Sequence, residues 1–346
     1  MSTCQSCSST AVDGTELRWP VFRHLDFTDV ASTGGLIACR ACGAVAAADF
    51  NRVAAVHRGF LFEAKYLAAA PTTHVIHGQS SGDTRPARQA AWITKHLETS
   101  GITCPSILDV GCFDGALLKE LSARWPAARL LAGHDPNPAL APFFPQKPPF
   151  EFHATCNSLV GASFDVIMAS HSLMNDRQLP TTLATLAKLL ATNGLLIMVM
   201  PNIAHNTPYL LMGDQYWFGS PRYLIGLFHQ QGLSVRRGLS EDWGHDLVLL
   251  ASVSDGKPPL DSTPPDRPAS QPVSAMLASL ERSAAAINAL HRDDRGYHVL
   301  GRTANAAFAA SVLGERCIGF IDEAIEPGKI SSFRNLPAVH PSQLTG

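Results

Sequence analysis

The residues that say most about chemistry lie in one short stretch, Asp109-Val110-Gly111-Cys112-Phe113-Asp114-Gly115. An apolar run over 107–110 ends there in a turn punctuated by two glycines, and a helical pattern follows over 116–124. Glycine takes backbone angles closed to other residues and leaves room for a ligand against the main chain at the mouth of a helix. A second apolar run over 129–134 ends at Asp135, about twenty residues beyond the turn. A carboxylate there can accept hydrogen bonds from both hydroxyls of an adenosine ribose, although an Asp ahead of Pro136 and Asn137 can also be a simple turn former. The glycine spacing separates two cofactors. A dinucleotide fold wants Gly-x-Gly-x-x-Gly to seat a pyrophosphate, whereas Gly111 and Gly115 are spaced Gly-x-x-x-Gly. With Asp109 ahead of the turn, the pattern points to S-adenosylmethionine (SAM). The candidate lining is Asp109, Gly111, Cys112, Phe113, Gly115, Asp135, Pro136, Asn157 and Ser170.

Proton-handling groups come next. His171 follows the apolar run 166–169, where a core strand opens onto a cofactor cleft, and a neutral imidazole there can take a proton from a hydroxyl or an acidic carbon. It can equally orient a loop or a substrate. His205, after Pro201-Asn202, is the other candidate base, and Asp214 and Tyr216 can bind substrate hydroxyls. Trp217 and Phe218 read as core or as an apolar lid, His245 as structural, and Cys112 as a small buried side chain rather than a nucleophile. Cys104, Cys156 and Cys317 have no partner at a telling spacing.

The other four cysteines form two Cys-x-x-Cys pairs, Cys4/Cys7 and Cys39/Cys42, the second followed by Gly43. Each pair can grip one side of a tetrahedral zinc ion, with a redox dithiol as the rival reading. Four thiolates close such a site to substrate, so the metal is expected to hold a small fold together and do no chemistry.

These residues need a frame. Helical spacing over 85–100 precedes alternating runs: strands at 107–110, 129–134, 150–154, 164–170 and 194–200, and helices at 116–124 and 181–191. This series predicts an α/β doubly wound, mainly parallel sheet with ligands at the carboxyl ends of its strands. A helix at 223–232 and strands at 234–238 and 246–253 complete it, the last two as an antiparallel edge. Residues 255–272, dense in Pro, Ser and Asp, read as a linker. Beyond them come a helix at 273–291 and a small βαβ pattern at 297–300, 303–313 and 316–322. The turn Gly301-Arg302-Thr303-Ala304 can meet a phosphate, and Asp322 is a ribose acid or a turn former. The expected domains are 1–70 (zinc ribbon), 71–254 (Rossmann-like core) and 273–346 (small α/β domain).

Composition narrows the classes. The chain has 346 residues, 46% apolar and 16% charged, with 27 basic against 29 acidic residues, so it offers no electrostatic footprint for nucleic acid. No apolar run is long enough to cross a bilayer, and the first residues lack a secretory pattern, which leads us to expect cytoplasmic residence and a monomer or homodimer.

The segment 109–115, the cysteine pairs ahead of it and the βαβ tail together resemble the sugar C-methyltransferase family. That resemblance implies a zinc-binding N-terminal domain, a SAM-binding Rossmann-like core, a nucleotide-fold C-terminal domain and a small-molecule acceptor such as a nucleotide sugar. The family's turn ends Asn-Asp-Gly where this chain reads Phe113-Asp114-Gly115. After the fifth strand the family has a Glu-His pair where this chain has Asp214 and Gln215, and Gln215 cannot accept a proton. After the fourth strand the family places Asn and then His, whereas here His171 precedes Asn175. A ribosomal RNA methyltransferase with an N-terminal zinc motif and a non-catalytic SAM-fold scaffold are the alternatives. Near-neutral charge and the extra tail weigh against the first, and the presence of Asp109, Gly111, Gly115 and Asp135 weighs against the second.

Overall fold

The computed structural model describes residues 3–23, 27–31, 33–58, 84–98, 103, 105–237, 246–253, 272–290 and 295–344. The chain divides into two compact units. One gathers Met1–His57, Asn202–Phe218 and Ala269–Gly346; the other gathers Arg58–Pro201 and Gly219–Pro268. The boundaries expected at 70 and 254, the linker 255–272 apart from Pro272, His245 and Cys104 all lie outside the described residues.

The chain opens with β1 (Val12–Glu16), β2 (Val21–Phe22), β3 (Asp29–Ala31), β4 (Gly35–Cys39), β5 (Val45–Ala47) and α1 (Phe50–Arg58). Asp49 starts that helix, its Oδ1 accepting the N–H groups of Asn51 and Arg52 at 2.9 and 3.1 Å. Next come α2 (Arg85–Glu98), β6 (Ser106–Val110), α3 (Ala116–Arg124), β7 (Leu130–His134), β8 (Phe150–His153), β9 (Phe164–Ser170), α4 (Leu179–Leu189) and β10 (Leu190–Pro201). After β11 (Trp217–Phe218) follow α5 (Pro221–Gln230), β12 (Leu233–Arg237) and β13 (Asp246–Val253). The tail holds α6 (Val273–Leu290), β14 (Tyr297–Leu300), α7 (Ala304–Leu313), β15 (Cys317–Ile321), β16 (Ile330–Phe333) and β17 (Leu336–Val339).

In the second unit the sheet runs β12-β13-β10-β9-β6-β7-β8. Its pairs are parallel except those of β13, which is antiparallel to both β10 and β12. This is the doubly wound Rossmann-like sheet the alternation predicts, closed by an antiparallel edge. Strand order reverses between β6 and β9, so a crevice opens at the carboxyl end of β6, where the glycine turn lies. The sheet is apolar on both faces because helices cover both. Ile107, Val166, Met168, Ile197 and Val199 share one core with Ala90, Ile93 and Leu97 of α2 and with Leu117, Leu118 and Leu121 of α3.

The first unit contains two small sheets and a short β2-β3 pair. In one sheet β1, β4, β5 and β11 are neighbours in that order; in the other, β14, β15 and β17 run parallel and β16 closes antiparallel on β17. Segment Asn202–Phe218 is stitched into this unit through its backbone. Gly213 N–H donates to Phe22 O at 2.8 Å, Ala47 N–H donates to Tyr216 O at 3.0 Å, and Trp217 and Phe218 pair with β5. Trp217 and Phe218 are fully buried, so they are core.

Candidate active site and metal centre

The turn after β6 is built from backbone constraints. Gly111 sits at φ +80° and Gly115 at φ +75°, with Phe113 between them at φ +51°, all in the left-handed region. The N–H groups of Gly111 and Cys112 both donate to His134 O, at 2.7 and 3.1 Å, which ties the turn to the end of β7. A side chain at Gly111 would collide with Ser172, and one at Gly115 would lie 2.9 Å from Phe144 and Pro145. Asp135 faces this turn. Its Oδ2 accepts Phe113 N–H at 3.3 Å and its Oδ1 accepts Asn137 N–H at 3.0 Å. Asp114 starts α3, accepting Ala116 N–H at 3.1 Å.

Electrostatics single out Asp109. Burial first, then the neighbouring charges of Asp135 and Asp114, push its carboxyl up to about 7 from 3.8. Burial also raises Asp135, against the two backbone N–H groups that lower it. Among the described ion pairs, Lys119 reaches Asp114 at 3.9 Å and none involves Asp109 or Asp135. The turn is therefore an anionic enclosure with close backbone approach, and a cationic methionine end with a ribose suits it. Cys112 is buried beside Gly133, and burial followed by the Asp109 and Asp135 charges raises its thiol, so it stays protonated.

Beside the turn, β9 ends in Ser170 and His171. Ser170 Oγ accepts from the buried Gln89 Nε2 at 2.6 Å, a partner the sequence did not suggest. His171 lies at φ +53°, with its Nε2 3.1 Å from Asp246 Oδ2. Pro136 is exposed. Asn157 falls in the short helix Cys156–Leu159, and its side chain lies outside what is described.

The other expected hydroxyl-handling residues belong to the first unit. His205 is exposed, its N–H donating to Asn202 O at 3.0 Å. Asp214 and Tyr216 are buried, with His57 Nε2 bonded to Asp214 O and the His57 and Tyr216 rings 5.1 Å apart, edge to face. Burial lowers His57, partly offset by that bond.

The four N-terminal cysteines converge. Their Sγ atoms all lie within 4.8 Å of one another, with Cys4 to Cys42 at 3.7 Å and Cys7 to Cys39 at 3.6 Å. Four thiolates about 2.3 Å from a tetrahedral zinc would stand about 3.8 Å apart, so the cluster can hold that ion. Two matching knuckles produce it. Ser8 N–H donates to Cys4 O and Gly43 N–H to Cys39 O, both at 2.9 Å, and Ser8 and Gly43 both adopt positive φ, +58° and +80°. The role of Gly43 is legible in the sequence, whereas Ser8 does the same job without a glycine to announce it. Cys39 falls to about 7: burial opposes this, but the backbone N–H and side chain of Cys42 and the Cys7 side chain outweigh it.

Residues 83–237 match the family model described as a methyltransferase domain. The match covers a little under half of the chain. It spans α2 to β12 and includes the glycine turn, Asp135 and His171. No curated protein matches the chain in sequence. Among solved structures, an O-methyltransferase family protein from Burkholderia thailandensis is 15% identical, with a TM-score of 0.37 over 49% of this chain. The chain spans 58% of that structure's length. Magnesium protoporphyrin IX methyltransferase from Synechocystis PCC 6803 with bound SAM is 14% identical, with a TM-score of 0.42 over 60% of this chain and 99% of its own. A SAM-bound amino pentose methyltransferase from Micromonospora echinaspora is 13% identical, with a TM-score of 0.40 over 49% of this chain and 92% of its own. At such identities and TM-scores none of them assigns an acceptor to this chain.

Proposed function

We propose that this protein transfers a methyl group from SAM to a carbon or oxygen of a sugar, nucleotide-linked or free, or of another small polar metabolite. The observation that carries the reading is the cluster of three carboxylates, Asp109, Asp114 and Asp135, at a turn with two positive-φ glycines, where burial and like charge favour a cationic ligand beside Asp109. Asp109 and Asp114 suit the ammonium and sulfonium end of SAM, and Asp135 suits its ribose hydroxyls. Gly111 and Gly115 supply the positive φ of the turn and let it pack directly against Ser172, Phe144 and Pro145. SAM, when bound, supplies a methyl group on a cationic sulfur whose departure needs little covalent help, so placement provides much of the acceleration. What this chain adds is orientation and a destination for the acceptor's proton, for which His171 is the base in this reading. Zinc on Cys4, Cys7, Cys39 and Cys42 is assigned a structural role in the first unit.

The test is calorimetric titration of zinc-loaded protein with SAM and with S-adenosylhomocysteine, followed by transfer of labelled methyl from SAM to a panel of nucleotide sugars. Binding of both cofactors and label on a sugar are expected. Absence of any cofactor binding would leave the scaffold reading, and label on structured RNA alone would favour the RNA alternative.

A further inference from the structure

We propose that Asp246 is a positioning residue that holds His171 as the proton acceptor at the mouth of the methyltransferase core. The proposal rests on the methyltransferase reading and extends it to a residue distant from the cofactor turn in sequence.

Strand direction makes the pair. The parallel strands end at the ligand edge, and β13 runs against them, so it starts there. Asp246, its first residue, registers with Pro201, the last residue of β10. His171 follows the last residue of β9 and donates its backbone N–H to Val199 O at 2.9 Å, one strand away. Its ring reaches across β10 to put Nε2 3.1 Å from Asp246 Oδ2. Both side chains are largely buried, 8% and 18% exposed. A non-glycine residue at φ +53° is strained by about 1–2 kcal/mol, and such strain persists where surrounding structure dictates it, commonly at functional sites.

A structural ion pair could show the same distance, so the surroundings matter. The next residue, Ser172, lies against Gly111 of the cofactor turn. Ser172 Oγ and Asn175 Oδ1, in the short turn that follows, are buried with no hydrogen-bond partner among the described residues. Each such atom costs about 1–3 kcal/mol if it stays unsatisfied. Ser172 Oγ beside the cofactor turn, and Asn175 Oδ1 three residues further on, are the polar atoms that a hydroxyl-bearing acceptor would satisfy close to the His171–Asp246 pair.

The chemistry follows from the tautomer. The Asp246 carboxylate accepts the proton on Nε2, which leaves the ring's lone pair on Nδ1. As the acceptor's oxygen or carbon bonds to the methyl carbon, the carbon–sulfur bond breaks with its electron pair remaining on sulfur. The acceptor's proton passes to Nδ1, and the imidazolium keeps its Nε2–H on the carboxylate, which stabilises the new charge.

The experiment needs no acceptor. Full-length, zinc-loaded protein with ¹⁵N-labelled histidine rings is compared by NMR as wild type, His171→Asn, Asp246→Ala and Asp246→Glu, each with S-adenosylhomocysteine. His171→Asn assigns the signals. The expected result is an Nε2–H tautomer for His171 in the wild type, its loss in Asp246→Ala and its return in Asp246→Glu, with cofactor affinity unchanged throughout. An Nδ1–H tautomer in the wild type, or an unchanged ring in Asp246→Ala, overturns the proposal. Should Asp246→Ala fail to fold, Asp246→Leu keeps an apolar side chain of similar size that accepts no hydrogen bond, and loss of the Nε2–H preference is expected; an unchanged Nε2–H tautomer there overturns the proposal too. Failure of the wild type to bind cofactor would sink the methyltransferase reading and leave the tautomer measurement standing.

Discussion

After β6, Gly111 stands at φ +80° and donates to the carbonyl of His134, the last residue of β7, with Asp135 next in the chain. After β14, Gly301 stands at φ +84° and donates at 2.7 Å to the carbonyl of Ile321, the last residue of β15, with Asp322 next. The backbone device is the same. The charges are not. Asp135 takes only backbone N–H groups among its described hydrogen bonds and shares its enclosure with Asp109 and Asp114. Asp322, with a fully buried side chain, lies 2.6 Å from Arg302 Nε, and that Arg sits in the turn itself and also reaches Ser331. Among the described residues, Asp109 and Asp135 have no cationic partner and only Asp114 is met by Lys119, at 3.9 Å; the buried acid of the other turn is paired at 2.6 Å. A shared strand-turn-helix-strand geometry therefore does not imply a shared ligand, and in the tail the acid after the second strand is paired with Arg302.

Exchanging the two acids is the strongest way to break that comparison. Asp135→Ala removes charge-assisted hydrogen bonds worth about 1.5–3 kcal/mol each, so SAM and S-adenosylhomocysteine should bind on the order of 100-fold more weakly by calorimetry. Asp322→Ala should leave cofactor affinity unchanged and instead lower stability by roughly 2 kcal/mol in urea unfolding. That is less than the cost of breaking a fully buried pair, because Arg302 is 31% exposed. Arg302→Ala leaves the fully buried Asp322 carboxylate without that partner and should cost more, about 3 kcal/mol. If the wild-type tail bound a UDP-sugar and Asp322→Ala abolished it, the two turns would be functionally alike and the contrast would fall.

A pH series sharpens the electrostatic half. With Asp109 raised from 3.8 to about 7, the folded, ligand-free core keeps a proton that the unfolded chain releases. Its contribution to stability is full below pH 3.8 and is lost as pH rises to about 7. A bound cation favours the ionised carboxylate, so SAM affinity should rise with pH by up to about tenfold per unit, roughly 1.4 kcal/mol, and level off above about 7. Titration in two buffers of different ionisation enthalpy should detect the released proton. Asp109→Asn should flatten the profile, and an equal slope in that variant would remove Asp109 from the role.

What the sequence revealed follows the range of its signals. The turn 109–115, Asp135 and the paired cysteines are local patterns, and the structure brings each group together. Asp246 is 75 positions from His171, and nothing in the sequence ties the start of one strand to the end of another. The β16-β17 hairpin was missed because its turn, Arg334-Asn335, takes two positive φ values, +51° and +63°, without the glycine that announces such turns. Arg334 is held there by Phe27 O at 3.0 Å and Asp29 at 2.8 Å, long-range partners that offset its strain. Likewise the pairing of Trp217 and Phe218 with β5 overrides a two-residue run too short to read as a strand.

The smallest expected effect separates geometry from surroundings. Gly111 and Gly301 have nearly the same φ, so replacing either by alanine carries the same backbone cost of about 1 kcal/mol. At Gly111 the added methyl also meets Ser172, whereas at Gly301 the nearest atom is Thr303 Cγ2 at 4.0 Å. Gly301→Ala should therefore show that backbone cost alone, as a small shift in the urea midpoint with cofactor binding intact. Gly111→Ala should displace the β9 end and impair S-adenosylhomocysteine binding. Equal losses of stability at the two positions would mean that the Ser172 side yields easily, and the close fit between β9 and the cofactor turn, on which the placement of His171 depends, would no longer distinguish the core from the tail.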